Sequence, residues 1–183
     1  MSRGRIEVDG DAAFIVHEVL SDEECWALIE EAEEEGFDMA PVRVGLTQET
    51  VSHHARSCLR VILEREELAA RLWARLGHFL PGAHGINPYF RVFRYEMDQR
   101  FLTHRDGVIH LPGGLSSEYT LLVYLNGGCQ GGETRLYLDT GGTYDVVPQE
   151  GLALLFEHDI AHEGVALEGG VKYVVRSEVL YSC

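Results

Sequence analysis

YTLLVYLNGGCQGGETRLYL, from Tyr119 to Leu138, is the stretch on which the fold turns. Its two apolar runs, Tyr119–Leu125 and Thr134–Leu138, are rich in β-branched and aromatic residues. Between them lie Gly127-Gly128 and Gly131-Gly132. Runs of this length bounded by turn residues read as strands. The same texture continues outward on both sides, with β-rich runs at Tyr89–Tyr95, Thr143–Val147, Leu152–Phe156 and Lys172–Leu180. Gly113-Gly114, Gly141-Gly142 and Gly169-Gly170 punctuate them. Many short strands at regular spacing predict a sandwich or barrel.

Upstream of Pro88 the pattern is helical. Ser21 is a good N-cap, and Glu24 three positions on completes a capping box. Trp26 and Ile29, with Leu28 and Ala32, form the expected apolar stripe, and Gly36 ends the helix. The glutamates at 30, 31, 33, 34 and 35 read as its solvated face. A second helix is expected over about 64–80, where Leu68, Leu72 and Leu76 recur every four residues before Pro81-Gly82. Helices followed by strands predict an α+β, mainly β chain: a jelly roll with N-terminal helices packed on one sheet. A length of 183 residues suits a single domain, with helical support over about 1–85 and the jelly-roll core over about 86–183. The polar segment Gly36–Arg60 is a candidate loop over a site.

A formal net charge of −15 repels phosphate backbones and anionic membranes, so nucleic acid and membrane partners are disfavoured. A basic or neutral substrate, peptide or small molecule, suits that field better. No apolar run approaches the roughly 18–20 residues of a spanning helix, and the N-terminus lacks a secretory pattern. The cytoplasm is the default expectation. Cys25, Cys58, Cys129 and Cys183 form no C-x-x-C clip and read as free thiols. Oligomeric state is not legible.

His104-Arg105-Asp106 follows a predicted strand. Residues i and i+2 of an extended segment share a side, so His104 and Asp106 can grip one ion while Arg105 faces away. An isolated H-x-D is more often a turn histidine bonded to its aspartate than a ligand pair. His162, after the run Leu152–Phe156, offers a third ligand. Two imidazoles and a carboxylate on one face of an ion form the facial triad of non-haem iron(II) oxygenases, which leaves coordination positions open for substrates. Lys172 follows ten residues after His162, and it is the single lysine beside fourteen arginines.

These residues belong to a longer series. Arg94-Tyr95 lies nine positions before His104, and Tyr124-Leu125-Asn126, Gly131-Gly132-Glu133-Thr134, Pro148-x-x-Gly151, His162-Glu163-Gly164 and Lys172-Tyr173 follow in order. From about 90 to 181 the chain resembles the prolyl 4-hydroxylase branch of the iron(II)/2-oxoglutarate oxygenases. The resemblance implies a double-stranded β-helix and an oxygenase using Fe(II), 2-oxoglutarate and O2, with ascorbate as an optional reductant. It assigns the metal to His104, Asp106 and His162, and the distal carboxylate of 2-oxoglutarate to Lys172. Tyr124 and Thr134 would support that carboxylate through their hydroxyls, and Tyr95 would line the cosubstrate pocket.

Arg176 shares the strand face of Lys172, about 13 Å further along at roughly 3.3 Å per residue. It could hold a substrate carboxylate, pair with Glu178 or Glu133, or replace Lys172 at 2-oxoglutarate. His53 and His54 are candidate substrate contacts, His110 a rim residue, and His158 a competing third ligand. The implied reaction is hydroxylation of an unactivated C–H, in a prolyl residue of a peptide or protein. A free amino acid or other small molecule is the alternative substrate, and a non-catalytic metal-binding jelly-roll sensor the alternative of another class. A nucleic-acid dealkylating oxygenase is disfavoured by the charge.

Overall fold

The computed structural model describes residues 4–44, 48–50, 56–139 and 141–182. A ten-stranded sheet forms the larger layer. Its main path runs Arg5–Asp9, Ala13–Val16, Ala153–Glu157, Leu115–Tyr124, Lys172–Ser182, Tyr89–Tyr95, Leu59–Glu64 and Asp38–Met39. The smaller sheet has the order Thr143–Val146, Thr134–Tyr137, Ala161–Gly164, Phe101–His104. All pairings are antiparallel. The architecture is a double-stranded β-helix, a jelly roll as expected.

Period-2 alternation explains why the central strands look almost wholly apolar: they are buried on both faces. From Leu115–Tyr124, Leu121 and Val123 join one core cluster while Leu122 and Tyr124 join the other. Tyr89–Tyr95 divides in the same way, with Phe90 and Val92 against Phe93 and Tyr95. In Lys172–Ser182 the outward face carries Val175 and Val179. The inward face carries Lys172, Val174, Arg176 and Glu178, so polar groups sit where the period demands core residues.

The outer cluster is completed by two helices, α1 (Asp22–Glu35) and α2 (Glu66–Leu76). The capping box at Ser21 forms as expected: Ser21 Oγ accepts from Glu24 N at 3.3 Å, and Glu24 Oε2 accepts from Ser21 N at 2.9 Å. Glu24 also takes both terminal nitrogens of Arg75 on α2, at 2.6 and 2.8 Å, so one carboxylate caps α1 and ties the two helices together. Gly36 closes α1 at φ 85°, and Leu68, Leu72 and Leu76 are buried.

Three expectations need correction. Trp26 is 57% exposed, because the buried stripe of α1 is Cys25, Leu28, Ile29 and Ala32; Cys25 supplies the i, i+3, i+4, i+7 spacing that Trp26 breaks. The second helix is shorter than 64–80, since its last turn is a 3₁₀ segment, Gly77–Phe79. The N-terminal portion is not purely helical, for Ala13–Val16 and Leu59–Glu64 are inserted as strands into the larger sheet. Cys25, Cys58 and Cys129 are free, and no described helix is long and apolar enough to cross a membrane.

Candidate metal centre

His104 ends one strand of the smaller sheet and His162 lies in its neighbour, and the two are direct register partners. Their ring centroids are 4.2 Å apart. Asp106 comes from the turn beyond His104, where its N–H donates to the His158 carbonyl at 3.1 Å. Its carboxylate oxygens stand 3.7 Å from His104 Nε2 and 3.6 Å from His162 Nε2. The three potential ligand atoms lie within 4.8 Å of one another and could hold a metal ion.

Each imidazole is oriented in the same way. His104 Nδ1 lies 2.8 Å from the Leu102 carbonyl, and His162 Nδ1 lies 3.0 Å from the Ile160 carbonyl. A carbonyl partner requires the proton on Nδ1, which leaves the Nε2 lone pair for a metal. Burial, reinforced by His162, pushes the His104 pKa down to about 3, against the pull of Asp106 and the Leu102 carbonyl. Burial lowers His162 as well. Both rings are therefore neutral, the state in which imidazole ligates.

Asp106 is held as an anion. Burial pushes its carboxyl up, but Arg176, His162, His104 and the Thr120 hydroxyl together hold it well below the usual carboxylate range. Arg176 Nη2 sits 3.0 Å from Oδ1, and Thr120 Oγ1 donates to Oδ2 at 2.6 Å. Thr120 thereby has a free acceptor lone pair for His158 Nδ1 at 3.0 Å, and His158 Nε2 accepts from Ser117 Oγ at 2.8 Å. His158 is buried with both ring nitrogens engaged behind Asp106, and the cluster of potential ligand atoms comprises His104, Asp106 and His162 without it.

The larger sheet supplies the other wall. Lys172 is 3% exposed, and its ammonium donates to the Gly132 carbonyl at 2.6 Å with the Tyr95 and Tyr124 rings 5.1 and 5.5 Å away. Burial pushes its pKa down to about 8 despite Cys129, Cys58 and Glu133. Among the described residues no carboxylate pairs with it. Gly132 is required here: at φ 74° a Cβ would come 2.8 Å from Leu167 Cδ1 and 3.4 Å from Lys172 Cδ. Tyr124 donates to Thr134 Oγ1 at 2.7 Å, which links the two sheets beside the lysine.

Arg176 faces inward as its spacing predicts, but its partners are Asp106 and, at 3.6 Å, Glu178. Glu178 also accepts from Arg91 at 2.7 Å and from Asn87 at 2.9 Å. Of the expected alternatives the structure displays the Glu178 pairing; the Asp106 pairing was not foreseen. His110 is exposed on a two-residue strand. His53 and His54 lie outside the described residues.

A cavity of about 40 Å³ joins these groups, lined by His104, Asp106, His162, Lys172, Arg176, Tyr95 and Thr134. It also contains Arg56, which sequence reasoning missed. Arg56 comes from the far end of the segment read as a covering loop and bridges to Phe101 by a backbone pairing.

Residues 90–177 match the 2OG-Fe(II) oxygenase superfamily model. No curated protein matches the chain. Among solved structures, a Pseudomonas putida prolyl-4-hydroxylase is similar over 94% of each chain, at 18% identity and TM-score 0.70. The viral collagen prolyl hydroxylase vCPH from Paramecium bursaria Chlorella virus-1, in its 2OG complex, matches 94% of this chain and 98% of its own at 19% identity and TM-score 0.69. A prolyl hydroxylase from Trichoplax adhaerens, in complex with a hypoxia inducible factor oxygen degradation domain peptide fragment, matches 94% of this chain and 84% of its own at 17% identity and TM-score 0.72. The superfamily uses Fe(II), 2-oxoglutarate and O2, and the His–Asp–His donor set suits iron(II). The match over residues 90–177 thus identifies a 2OG-Fe(II) oxygenase domain, that of a 2-oxoglutarate-dependent dioxygenase, and the fold around it is prolyl 4-hydroxylase-like.

Proposed function

We propose that residues 1–183 act as one oxygenase unit that hydroxylates an unactivated C–H bond, with iron(II) on His104, Asp106 and His162 and 2-oxoglutarate anchored by Lys172. The observation that carries this reading is the pairing of two features in one cavity. Two neutral imidazoles and one fixed carboxylate converge at one side, and a dry ammonium without an acid partner waits at the other. A buried cation of that kind is stabilised by an incoming carboxylate. When bound, iron(II) and 2-oxoglutarate supply the oxidation: O2 is consumed, 2-oxoglutarate loses CO2 to become succinate, and one oxygen atom enters the substrate. The chain's own residues fix the donor geometry, hold the cosubstrate through Lys172 with Tyr124 and Thr134 beside it, and keep water out with Leu122, Val174, Phe93 and Tyr95.

For the substrate, the prolyl hydroxylases of like fold support a prolyl residue in a peptide, and one of them is in complex with a peptide fragment. A free amino acid is the second reading, favoured by Arg56. The test is to incubate anaerobically purified protein with Fe(II), 2-oxoglutarate and air, and to quantify succinate. Sustained succinate formation, abolished in His104→Ala, is expected. Metal binding with no turnover across a broad substrate panel would indicate a sensor instead.

A further inference from the structure

Three cations line the cavity, Lys172, Arg176 and Arg56, and Arg91 shares Glu178 with Arg176; all but Arg56 have assigned partners. Arg176 and Arg91 are matched by Asp106 and Glu178. Lys172 has the Gly132 carbonyl and, in the reading above, a 2-oxoglutarate carboxylate. Arg56 has no acid. It is 9% exposed, its Nη1 donates to the Pro41 carbonyl at 3.1 Å, and its Nε is buried without a hydrogen-bond partner. Arg176 Nε is likewise unpartnered, but that side chain's charge is already compensated. Among the described side chains no carboxylate pairs with Arg56.

Its placement is tightly constrained. The guanidinium carbon lies 3.5 Å from the Phe101 ring centroid and 5.0 Å from that of Phe93. Phe101 in turn stacks on His104, with centroids 3.6 Å apart. Arg56 and His104 thus both pack on Phe101, which fixes a positive charge in the cavity that holds the metal ligands. Arg176 and Arg91 are offset by Asp106 and Glu178, and Lys172 is assigned to a 2-oxoglutarate carboxylate, which leaves the charge of Arg56 without a counterpart among the described residues. A buried guanidinium N–H left unpaired is costly, and a planar carboxylate is its natural complement.

We propose that Arg56 binds a carboxylate of the substrate inside the cavity, so that the substrate is a small carboxylic acid, a free amino acid foremost, oxidised at a carbon near that carboxylate. This rests on the assignment of the cavity to Fe(II) and 2-oxoglutarate. An internal residue of a peptide presents an amide where Arg56 requires an anion. The chain's net charge of −15 does not oppose the assignment, because long-range charge steers encounter whereas the local field at Arg56 is positive.

The probes are L-proline and the other protein amino acids, their carboxamides, and a prolyl peptide blocked at both ends. Each is added to the full chain loaded anaerobically with Fe(II) and 2-oxoglutarate, and both the melting temperature and the dissociation constant are read. Succinate formation is then followed in air. At least one free acid is expected to bind and accelerate succinate release, with its amide weaker by about tenfold or more. Arg56→Gln should erase the preference for acid over amide, and Arg56→Lys should retain part of it. Melting curves without ligand establish that both variants are folded. The proposal is overturned if acid and amide bind alike, if no free acid binds, or if only the blocked peptide accelerates turnover. It is equally overturned if Arg56→Gln weakens 2-oxoglutarate as much as the acid, which would assign Arg56 to the cosubstrate. If wild-type protein never forms succinate, the oxygenase reading fails. The acid-versus-amide comparison by melting temperature still decides the role of Arg56 in that case.

Discussion

Asp106 is where the residue-scale argument concentrates, because one carboxylate is asked to ligate while Arg176 and Thr120 hold its two oxygens. Thr120→Val keeps the shape but removes the hydrogen bond and strands His158, so Fe(II) affinity measured by anaerobic equilibrium dialysis should fall about 10–100-fold. Asp106→Ala removes the anionic ligand itself and should cost more than that. Lys172→Ala should raise the 2-oxoglutarate concentration for half-maximal succinate formation by about tenfold or more with little change in Fe(II) affinity. If Arg176→Ala does so and Lys172→Ala does not, the cosubstrate assignment is wrong. The metal set was legible in the sequence because His104 and Asp106 follow an i, i+2 rule and His162 stands at a recognisable offset from Lys172. Arg56 was not, since nothing local distinguishes it from the other thirteen arginines. Its value arises from Phe93 and Phe101, which tertiary structure alone brings to it.

At the scale of elements, Glu24 joins the cap of α1 to the side of α2. Arg75 above all, against the opposing effect of burial, holds its carboxyl at about 2, below the ordinary 4.5. The sign follows from that depression: the contribution is present above pH 4.5 and is lost as pH falls from there through about 2. Melting temperature recorded from pH 6 to pH 2 should therefore fall more steeply in wild type than in Glu24→Gln. At pH 7, Glu24→Ala should destabilise the chain by about 1–3 kcal/mol, through the lost cap and the lost partner of Arg75. The capping box was readable because it is written in four consecutive residues. The strand Leu59–Glu64 was missed because it straddles the end of the candidate loop at Arg60 and the start of the expected helix at about 64, with no glycine or proline to mark its ends. Ala13–Val16 was missed because four buried residues carry no alternation to count.

For the whole molecule, the two sheets divide the labour. The smaller sheet and its turn present His104, Asp106 and His162, while the larger presents Lys172, Arg176, Tyr124 and Thr120. Sequence texture sufficed for the jelly roll because glycine pairs marked the strand ends, but it could not say which inward side chains would face one another across the cavity. The central claim is that the chain binds one metal ion through His162 and not through the nearby His158. Anaerobic equilibrium dialysis with Fe(II) on wild type, His158→Ala and His162→Ala tests it most directly. The account predicts one ion per chain in wild type, one ion bound more weakly in His158→Ala, and loss of the site in His162→Ala. Retention of the ion in His162→Ala together with its loss in His158→Ala would contradict it.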